Sequence, residues 1–370
     1  MGATPSRTLI LGGGFGGIAA ANALRRLLPP EHPVTVVERN PAFHVGAGKT
    51  WVMLGERTPE QVSRPVADLL ERGVGLVPGT VQGLDLAAVP GLAEAAHTFY
   101  TVEGALRLRT ALEEFGGGDV AIVIPKVPFK CPPAPYEAAM LLEHALTSRG
   151  LRQQARLSIF TVEAAPMATA GPEMGQLIRD ELARRGIAFH PQKKAVRVDA
   201  GARRIEFEDG SGAAYDLLIA IPPHEAPKVV RDARLLGPSG WIPVDPRTLR
   251  VAGVAGPAEV YAIGDVASVP LPGRFRPDAP LSLPKAGVMA EAQGKVVAHQ
   301  IAARALGTAT AETFDGAGFC YLEVGGGKAL RAEGRFFEMP HPVMQRRAPD
   351  EAQLRDKQEW VARQLRPVRS

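Results

Sequence analysis

A glycine-rich turn between a strand and a helix is the feature that most constrains this sequence. Thr8–Leu11 is a run of strand-forming residues that leads directly into a Gly-x-Gly-x-x-Gly pattern at residues 12–17. Gly12 allows a tight turn, Gly14 lets a pyrophosphate approach the backbone, and Gly17 lets the following helix pack on the strand. The pattern therefore predicts the first strand-to-helix turn of a dinucleotide-binding unit.

The segments after this turn favour the same interpretation. Ile18–Leu28 is rich in Ala and Leu and predicts a helix, whose N-terminal N–H groups would face the phosphates. Val34–Val37 predicts the second strand, and Glu38 at its end is placed to accept hydrogen bonds from an adenosine ribose. The residues assigned to this half of the cofactor site are Gly12, Gly14, Phe15, Gly17, Glu38 and Arg39.

A second motif, near the other end of the chain, bears on which dinucleotide is bound. Val260–Val266 predicts a strand that ends in a Gly-Asp pair, and Val288–Leu306 predicts a helix. This arrangement resembles the second FAD fingerprint of the two-dinucleotide-binding-domain flavoproteins. In those proteins the aspartate binds the ribityl chain, and the helix dipole favours the negative charge of a reduced flavin. The resemblance implies FAD, with Gly264, Asp265, Lys285 and Ala286 as the second half of its site.

The middle of the chain repeats the alternation of strands and helices. Asp119–Ile124 is a continuous apolar run that predicts a buried parallel strand, and Tyr215–Ile221 predicts a returning strand. Between them we expect helices at Tyr136–Ser148 and Met174–Arg185 and strands at Leu157–Phe160, Gly186–Phe189, Val196–Val198 and Arg204–Phe207. The repeated order predicts an α/β fold of two tandem Rossmann-like domains with a small C-terminal segment.

These patterns also suggest how the chain divides. We expect an FAD-binding domain made of residues 1–100 and 231–310, and a second Rossmann-like domain at 101–230. Residues 311–370 would form the C-terminal segment. Compared with the middle unit, the first unit lacks a hairpin and a closing strand near residues 85–89, so about twenty residues are missing from the expected pattern.

The turn after Ile124 does not carry the glycines that an NAD(P)H-binding copy would need. Residues 125–137 contain five prolines, and such a loop cannot approach a pyrophosphate closely. The loop holds Cys131, and the only other cysteine of the chain is Cys320. The two cysteines fit no structural zinc site, which needs four ligands. They are either buried thiols without a role or a redox pair.

The loop Lys-Cys-Pro-Pro-Ala-Pro-Tyr-Glu at residues 130–137 resembles that of two related families. These are the sulfide:quinone oxidoreductases and the flavoprotein subunits of flavocytochrome c sulfide dehydrogenases. Gly318–Gly326 is similar to the segment that carries their second cysteine, and residues 43–52 resemble the quinone-reducing branch. The resemblance extends over nearly the whole chain.

The resemblance implies a specific chemistry. Cys131 and Cys320 would meet on one flavin face as a disulfide, which hydrosulfide attacks to give a persulfide and a thiolate. FAD would pass the electrons to quinone. Glu137 is assigned to proton transfer, and Lys285 to stabilising the reduced flavin or a quinone oxygen. The alternatives are a glutamate in a first helical turn and a solvated loop lysine. No cysteine lies between Glu38 and Gly55, so the flavin should be noncovalent.

Two departures from the families bear on the product and the site. The chain lacks the third cysteine that many members carry, which leaves the length of the polysulfide product open. It also lacks a histidine in the loop at residues 166–171.

The remaining expectations concern partners and location. A net charge of +4 is too small to indicate nucleic-acid binding, and neither a secretory leader nor a membrane span is found. We therefore expect a cytoplasmic protein, with a peripheral position on the membrane surface and a homo-oligomer as further options. Glu351–Leu365 predicts a helix with a thin apolar stripe, which would lie on anionic lipid or dock on its own domain.

Three other functions stay open at this point. The first is a flavocytochrome c-type sulfide dehydrogenase that uses a cytochrome acceptor. The second is an NAD(P)H:quinone reductase, which the proline-rich loop argues against. The third is a flavin-bearing redox sensor without catalytic turnover.

Overall fold

The chain begins with a strand–helix–strand unit around the glycine turn. The computed structural model describes residues 5–79, 86–254 and 259–368. The elements up to residue 79 are β1 (Thr8–Leu11), α1 (Phe15–Leu27), β2 (Val34–Glu38), β3 (Ala42–His44), α2 (Lys49–Met53), β4 (Ser63–Pro65) and β5 (Val74–Pro78). Strand β2 lies between β1 and β5, and both pairings are parallel. The predicted strands and helix of this region are confirmed.

The middle region contains a four-stranded parallel sheet. Its elements are α3 (Leu92–Ala95), α4 (Val102–Glu114), β6 (Gly118–Ile124), α5 (Ala134–Ser148), β7 (Ala155–Thr161), α6 (Pro172–Arg184), β8 (Ile187–His190), β9 (Ala195–Asp199), β10 (Arg204–Phe207), β11 (Gly212–Ala214), β12 (Leu217–Ala220), α7 (Lys228–Asp232) and β13 (Ile242–Pro243). The sheet order is β12-β6-β7-β8, and β9 to β11 form a separate antiparallel sheet. Strand β6 is buried from Val120 to Ile124, as its continuous apolar run predicts.

The last region joins a long helix to a second antiparallel sheet. Its elements are β14 (Ala267–Ser268), α8 (Gly287–Ala305), β15 (Ala317–Gly325), β16 (Lys328–Arg335), β17 (Val343–Asp350) and α9 (Glu351–Gln364). Strands β15, β16 and β17 pair in that order, and α9 packs on β16. Trp360, Val361 and Leu365 are buried in the core, so the predicted C-terminal helix docks on its own sheet.

The predicted strand at Val260–Val266 is wrong. Only Tyr261 makes a bridge, to Arg250, and Gly264–Val266 forms a 3-10 turn. The segment pairs locally with the residues just before it, because the Val251 N–H bonds to the Val260 carbonyl and the Ala262 N–H to the Leu249 carbonyl. This antiparallel pairing takes the place of the parallel alignment that the sequence pattern predicted.

The first sheet leaves part of one face open. Leu9, Leu11 and Val77 point to the same face of that sheet and are between 47% and 64% exposed. The sequence pattern predicts that a hairpin and a closing strand are missing near residues 85–89, and this segment begins outside the described residues. The division into domains stays a prediction. Among the described helices, none is long and apolar enough to cross a membrane.

Candidate functional site

The glycine turn has the shape that a dinucleotide phosphate requires. Gly12 has a φ of +109°, which favours glycine, and a Cβ on Gly17 would lie 1.8 Å from the Gly12 carbonyl oxygen. A Cβ on Gly14, by contrast, would meet no atom within 4 Å. Gly14 caps α1 without any side-chain hydrogen bond, so the first N–H groups of the helix face open space. These residues fit a bound pyrophosphate.

The acidic residue of this motif lies beside the turn. The Glu38 carboxylate accepts a hydrogen bond of 2.7 Å from the Gly13 N–H and one of 2.8 Å from the Asn40 N–H. Its orientation is therefore set by the backbone around it. Arg39, the next residue, is exposed at the end of β2.

The second half of the predicted cofactor site packs against the first half. The Gly264 N–H donates to Gln293 of α8 over 2.7 Å, and Ala286 forms the uncapped N-terminal boundary of that 19-residue helix. Phe15 packs at the same place, since a Cβ on Gly287 would lie 2.7 Å from its ring. The N-terminus of α8 therefore packs against Phe15, the first residue of α1. This fits a dinucleotide that spans the two motifs.

Lys285 is directed into the protein. Its Nζ donates to the carbonyl oxygens of Asp265 and Ala267, and it lies 3.6 Å from the centre of the Trp241 ring. Burial lowers the pKa of Lys285 to about 8, and the charge of Asp265 opposes this change. The ammonium group therefore ties the loop before α8 to the turn at Asp265.

The same lysine holds the cysteine loop through its backbone. The Cys131 N–H donates to the Lys285 carbonyl oxygen over 2.7 Å, and Cys131 has a φ of +58°, which non-glycine residues rarely adopt. The chain therefore positions Cys131 against the second cofactor motif at some cost in backbone strain.

The two cysteines lie in one electrostatic environment. Burial, followed by the charges of Cys320 and Glu137, raises the pKa of the Cys131 thiol. Burial and the charge of Glu137 raise the pKa of Cys320 to about 12. Both cysteines are free thiols in this structure, so the expected disulfide is not confirmed. Glu137, which follows the cysteine loop in α5, nevertheless accepts the N–H of Glu323 on β15, so the two segments that carry the cysteines are held together.

Glu137 belongs to a buried charge cluster, which we call the Lys357 cluster and define as Glu137, Glu323 and Lys357. The Lys357 Nζ lies 3.0 Å from Glu137 Oε1 and 2.5 Å from Glu323 Oε1, and all three side chains are buried. Glu137 Oε2 accepts the Glu323 N–H over 2.9 Å, and the Trp51 indole donates to Glu323 over 2.7 Å. The cluster joins α5, which follows the cysteine loop, to α9 and to β15, the strand that carries Cys320.

The charges of this cluster do not balance. Burial raises the pKa of Glu137, and the charge of Lys357 opposes this change. Burial disfavours the charged form of Lys357, but Glu137 and Glu323 outweigh it and raise the pKa of the ammonium. Two carboxyl groups thus share one cation, and the raised pKa of Glu137 favours its protonated form relative to a free glutamate.

A separate cavity of about 470 Å³ lies beside the sheet of β15 to β17. Phe319 and Trp360 line it, with ring centres 6.4 Å apart. The Trp360 ring also stacks on Phe15, 5.7 Å away, and Arg331 lies 4.6 Å from the Phe319 ring. Successive residues of a strand point to opposite faces, so Phe319 faces the cavity and Cys320 the other side. Charged side chains, among them Glu291, Lys295 and Glu333, line much of the rest, so the cavity offers two aromatic faces beside a polar rim.

Known proteins resemble this chain in sequence and in fold. The family described as "Sulfide dehydrogenase [flavocytochrome c] flavoprotein chain, central" matches residues 105–222. The sulfide-quinone reductase of Aquifex aeolicus is 24% identical over 336 residues, which cover 79% of this chain and 75% of that protein. The mitochondrial sulfide:quinone oxidoreductase of Mus musculus is 24% identical over 300 residues, or 71% of this chain and 66% of that protein. The predicted resemblance is confirmed.

The fold comparison agrees with it. The X-ray structure of the sulfide:quinone oxidoreductase from Aquifex aeolicus has a TM-score of 0.81 at 19% identity, and the match covers 97% of this chain and 90% of that one. The predicted fold class, an α/β fold of flavoprotein type, is confirmed.

Sequence reasoning missed several residues around the site. His224 follows β12, whose carboxyl end lies beside that of β6, so the strand order could have placed it near the cysteine loop. Trp360 lies in the predicted helix Glu351–Leu365, where the pattern indicates only a thin apolar stripe. Lys357 had no signal at all, because a lysine within a highly charged helix normally faces solvent.

Proposed function

We propose that this chain is an FAD-dependent oxidoreductase that oxidises sulfide to sulfane sulfur at Cys131 and Cys320 and passes the electrons to a quinone. The expected enzyme class is supported by relatives named as sulfide-quinone reductases and by a matching family named as a flavoprotein chain. The observation that carries the proposal is that Glu137, six residues after Cys131, accepts the N–H of Glu323, three residues after Cys320, so the two cysteine segments lie against each other.

The sulfur chemistry requires the two cysteines to alternate between a disulfide and two reduced sulfurs. Hydrosulfide attacks the disulfide, the bond between the cysteine sulfurs breaks, and a new bond joins the incoming sulfur to one cysteine. The other cysteine leaves as a thiolate, so the cysteine pair takes up two electrons. Burial disfavours that thiolate, and Glu137 is placed to hold or release the accompanying proton.

FAD would supply a two-electron acceptor next to the thiolate. The open space at Gly14 and the facing N-termini of α1 and α8 support binding of this cofactor. We propose that it is held noncovalently, because the chain's only two cysteines are both assigned to the sulfur chemistry. Lys285 positions Cys131 through its carbonyl oxygen, and its ammonium fixes the turn at Asp265.

The aromatic cavity supports a quinone as the acceptor. Phe319 and Trp360 offer two aromatic faces, and the cavity lies on the face of β15 opposite to Cys320. Sulfide and quinone would therefore approach the site from different sides. Trp360, Val361 and Leu365 at the end of the chain are buried, so these residues are not free to contact a membrane.

Anaerobic titration of the purified holoenzyme with sulfide tests the donor. We expect sulfide to bleach the flavin absorbance, and Cys131→Ser or Cys320→Ser to slow the bleaching by about a hundredfold or more. NADH should leave the flavin oxidised. If Cys131→Ser kept the wild-type rate, or if NADH alone reduced the flavin, the proposal would be overturned.

Steady-state assays with a soluble quinone test the acceptor. Trp360→Ala should raise the KM for quinone about tenfold, whereas Trp360→Phe, which keeps an aromatic face, should stay within about threefold of the wild type. Flavin reduction by sulfide should be unchanged in both variants. An unchanged KM for quinone in Trp360→Ala would remove the cavity from the proposal.

A further inference from the structure

Tyr100 is the centre of a group of basic side chains beside the cysteine loop. Its ring is buried, and its hydroxyl donates to the Lys130 carbonyl oxygen over 3.0 Å. Lys49 Nζ donates to the Tyr100 carbonyl oxygen over 2.7 Å, and Lys130 Nζ lies 5.8 Å from the ring centre. The His224 ring meets the same ring edge-on at 5.4 Å. We call Lys49, Lys130 and His224 the basic pocket.

His224 presents a buried nitrogen that has no partner. The side chain is 4% exposed, and its Nδ1 lies 2.7 Å from the Pro222 carbonyl oxygen, which can only accept. Nδ1 therefore carries the hydrogen, and Nε2 is a bare acceptor. Within the described residues this Nε2 has no hydrogen-bond partner. A buried acceptor of this kind is costly, and it fits a ligand that brings a hydrogen-bond donor.

In the described part of the chain, neither Lys49 nor Lys130 has a carboxylate partner. Among the residues that the structure describes, no acidic side chain lies within 4 Å of the Lys49 or Lys130 ammonium. Burial, with the charge of Lys130, lowers the pKa of Lys49 to about 7, while negative charge on Cys131 raises it. Lys49 and the Cys131 sulfur are therefore electrostatically coupled. A small anion next to Cys131 would restore the missing negative charge.

We propose that the basic pocket binds hydrosulfide and presents it to Cys131. Hydrosulfide carries one negative charge, which suits the two ammonium groups, and one S–H hydrogen, which suits His224 Nε2. In the disulfide state its sulfur bonds to Cys131, the Cys131–Cys320 bond breaks, and Cys320 leaves as the thiolate. The hydrogen remains on the new persulfide, so charge and electrons balance. This inference rests on the proposed function and identifies where its substrate binds.

Alkylation of Cys131 tests the pocket without sulfide turnover. The reduced holoenzyme is treated with iodoacetate, an anion, or iodoacetamide, which is neutral, and modification of the Cys131 peptide is followed by mass spectrometry. A change in thiolate content alters both rates equally, so their ratio reports attraction of the anion. We expect Lys49→Met and Lys130→Met to lower the iodoacetate-to-iodoacetamide ratio roughly tenfold.

Lys126 supplies the matched control. It lies on the same loop, but it is exposed and paired with Glu225 at 3.3 Å. Lys126→Met should change the ratio less than twofold, because its charge is already compensated. If the iodoacetate-to-iodoacetamide ratio were the same in the wild type, Lys49→Met and Lys130→Met, the proposed anion-binding role of the basic pocket would be overturned.

Stopped-flow reduction of the flavin by sulfide tests the role of His224. We expect His224→Leu to raise the sulfide concentration for half-maximal reduction rate about tenfold, and His224→Gln, which keeps an acceptor oxygen, to restore most of the affinity. Reduction by dithionite should be the same in all variants. If His224→Leu fails to fold, Lys130→Met replaces it as the test, because Lys130 is half-buried. We expect Lys130→Met to show the same loss of sulfide affinity.

The outcomes separate this inference from the proposed function. If sulfide reduces the wild-type flavin and the His224 and Lys130 variants keep its affinity, the basic pocket is refuted and the proposed function stands. If sulfide does not reduce the wild-type flavin, the proposed function fails. The alkylation ratio then still decides whether an anion site exists beside Cys131.

Discussion

An added methyl group should weaken FAD binding at one glycine of the turn and lower the free energy of unfolding at another. Gly14→Ala places a Cβ in open space, so the free energy of unfolding without FAD should change by less than about 0.5 kcal/mol. Affinity for FAD should fall at least tenfold, because the methyl group occupies the phosphate position. Gly17→Ala would bring its Cβ within 1.8 Å of a carbonyl oxygen and should cost about 2–3 kcal/mol of stability. Urea unfolding and FAD fluorescence titration measure both effects.

His224 should make stability sensitive to acid. Burial, with the charge of Lys130, lowers the pKa of the folded imidazole to about 3 from the ordinary 6.5. The unfolded chain binds a proton below pH 6.5 that the folded chain does not bind, so stability falls as the pH drops from 6.5 towards 3. His224→Gln should reduce the difference in Tm between pH 7.5 and pH 5. The exposed His341→Gln is the control and should leave that difference as in the wild type.

The C-terminal helix α9 is held by a buried charge as well as by apolar packing. Lys357→Met would leave Glu137 and Glu323 without their cation, and we expect a loss of about 3–5 kcal/mol at pH 8. The loss should be smaller at pH 5.5, because protonation of Glu137, whose pKa burial already raises, removes part of the repulsion. Urea unfolding at the two pH values measures the difference.

A surface ion pair provides the comparison for this measurement. Lys228 and Asp232 are 2.6 Å apart on exposed α7, with exposed fractions of 78% and 60%. Lys228→Met should cost less than about 1 kcal/mol at either pH. A Lys357→Met penalty as small as this one would mean that the cluster does not anchor α9.

Elements whose pattern is set locally could be predicted from the sequence. The run Asp119–Ile124 and the glycine turn each specify their own backbone, and the structure agrees with both. Val260–Val266 has the composition of a strand, but its pairing depends on Leu249–Val251, and composition carries no information about that partner. The local sequence pattern predicts whether a segment is a strand or a helix better than it predicts which segment pairs with it.

The candidate site follows the same division. Cys131, Cys320 and Glu137 lie in motifs that can be recognised in the sequence. In the structure the charge of Glu137 raises the pKa of both thiols. Lys357 joins them only because α9 folds back over β16. Lys357 and Glu137, which then form an ion pair, are more than 200 positions apart in the sequence. Such a buried lysine becomes recognisable only when the carboxylates around it are known.

At the scale of the whole molecule, the packing of α1 on α8 joins the two ends of the chain at the cofactor site. Gly294 of α8 lies so close to α1 that a Cβ would be 2.4 Å from the Gly16 carbonyl oxygen. The N-terminus of α1 carries the glycines proposed to bind the phosphates, and that of α8 lies next to Phe15. The spacing of these two helices therefore sets the distance between the two halves of the site.

Gly294→Ala should consequently affect stability and cofactor binding together. We expect the methyl group to force the helices apart, which costs about 1–3 kcal/mol and weakens FAD binding even though residue 294 lies two turns from the helix N-terminus. Gly116→Ala adds a methyl group where no atom lies within 4 Å and should change neither quantity beyond about 0.5 kcal/mol. Thermal unfolding with and without added FAD distinguishes the two effects. If Gly294→Ala lost stability but kept the wild-type shift on adding FAD, the cofactor would not depend on the spacing of the helices.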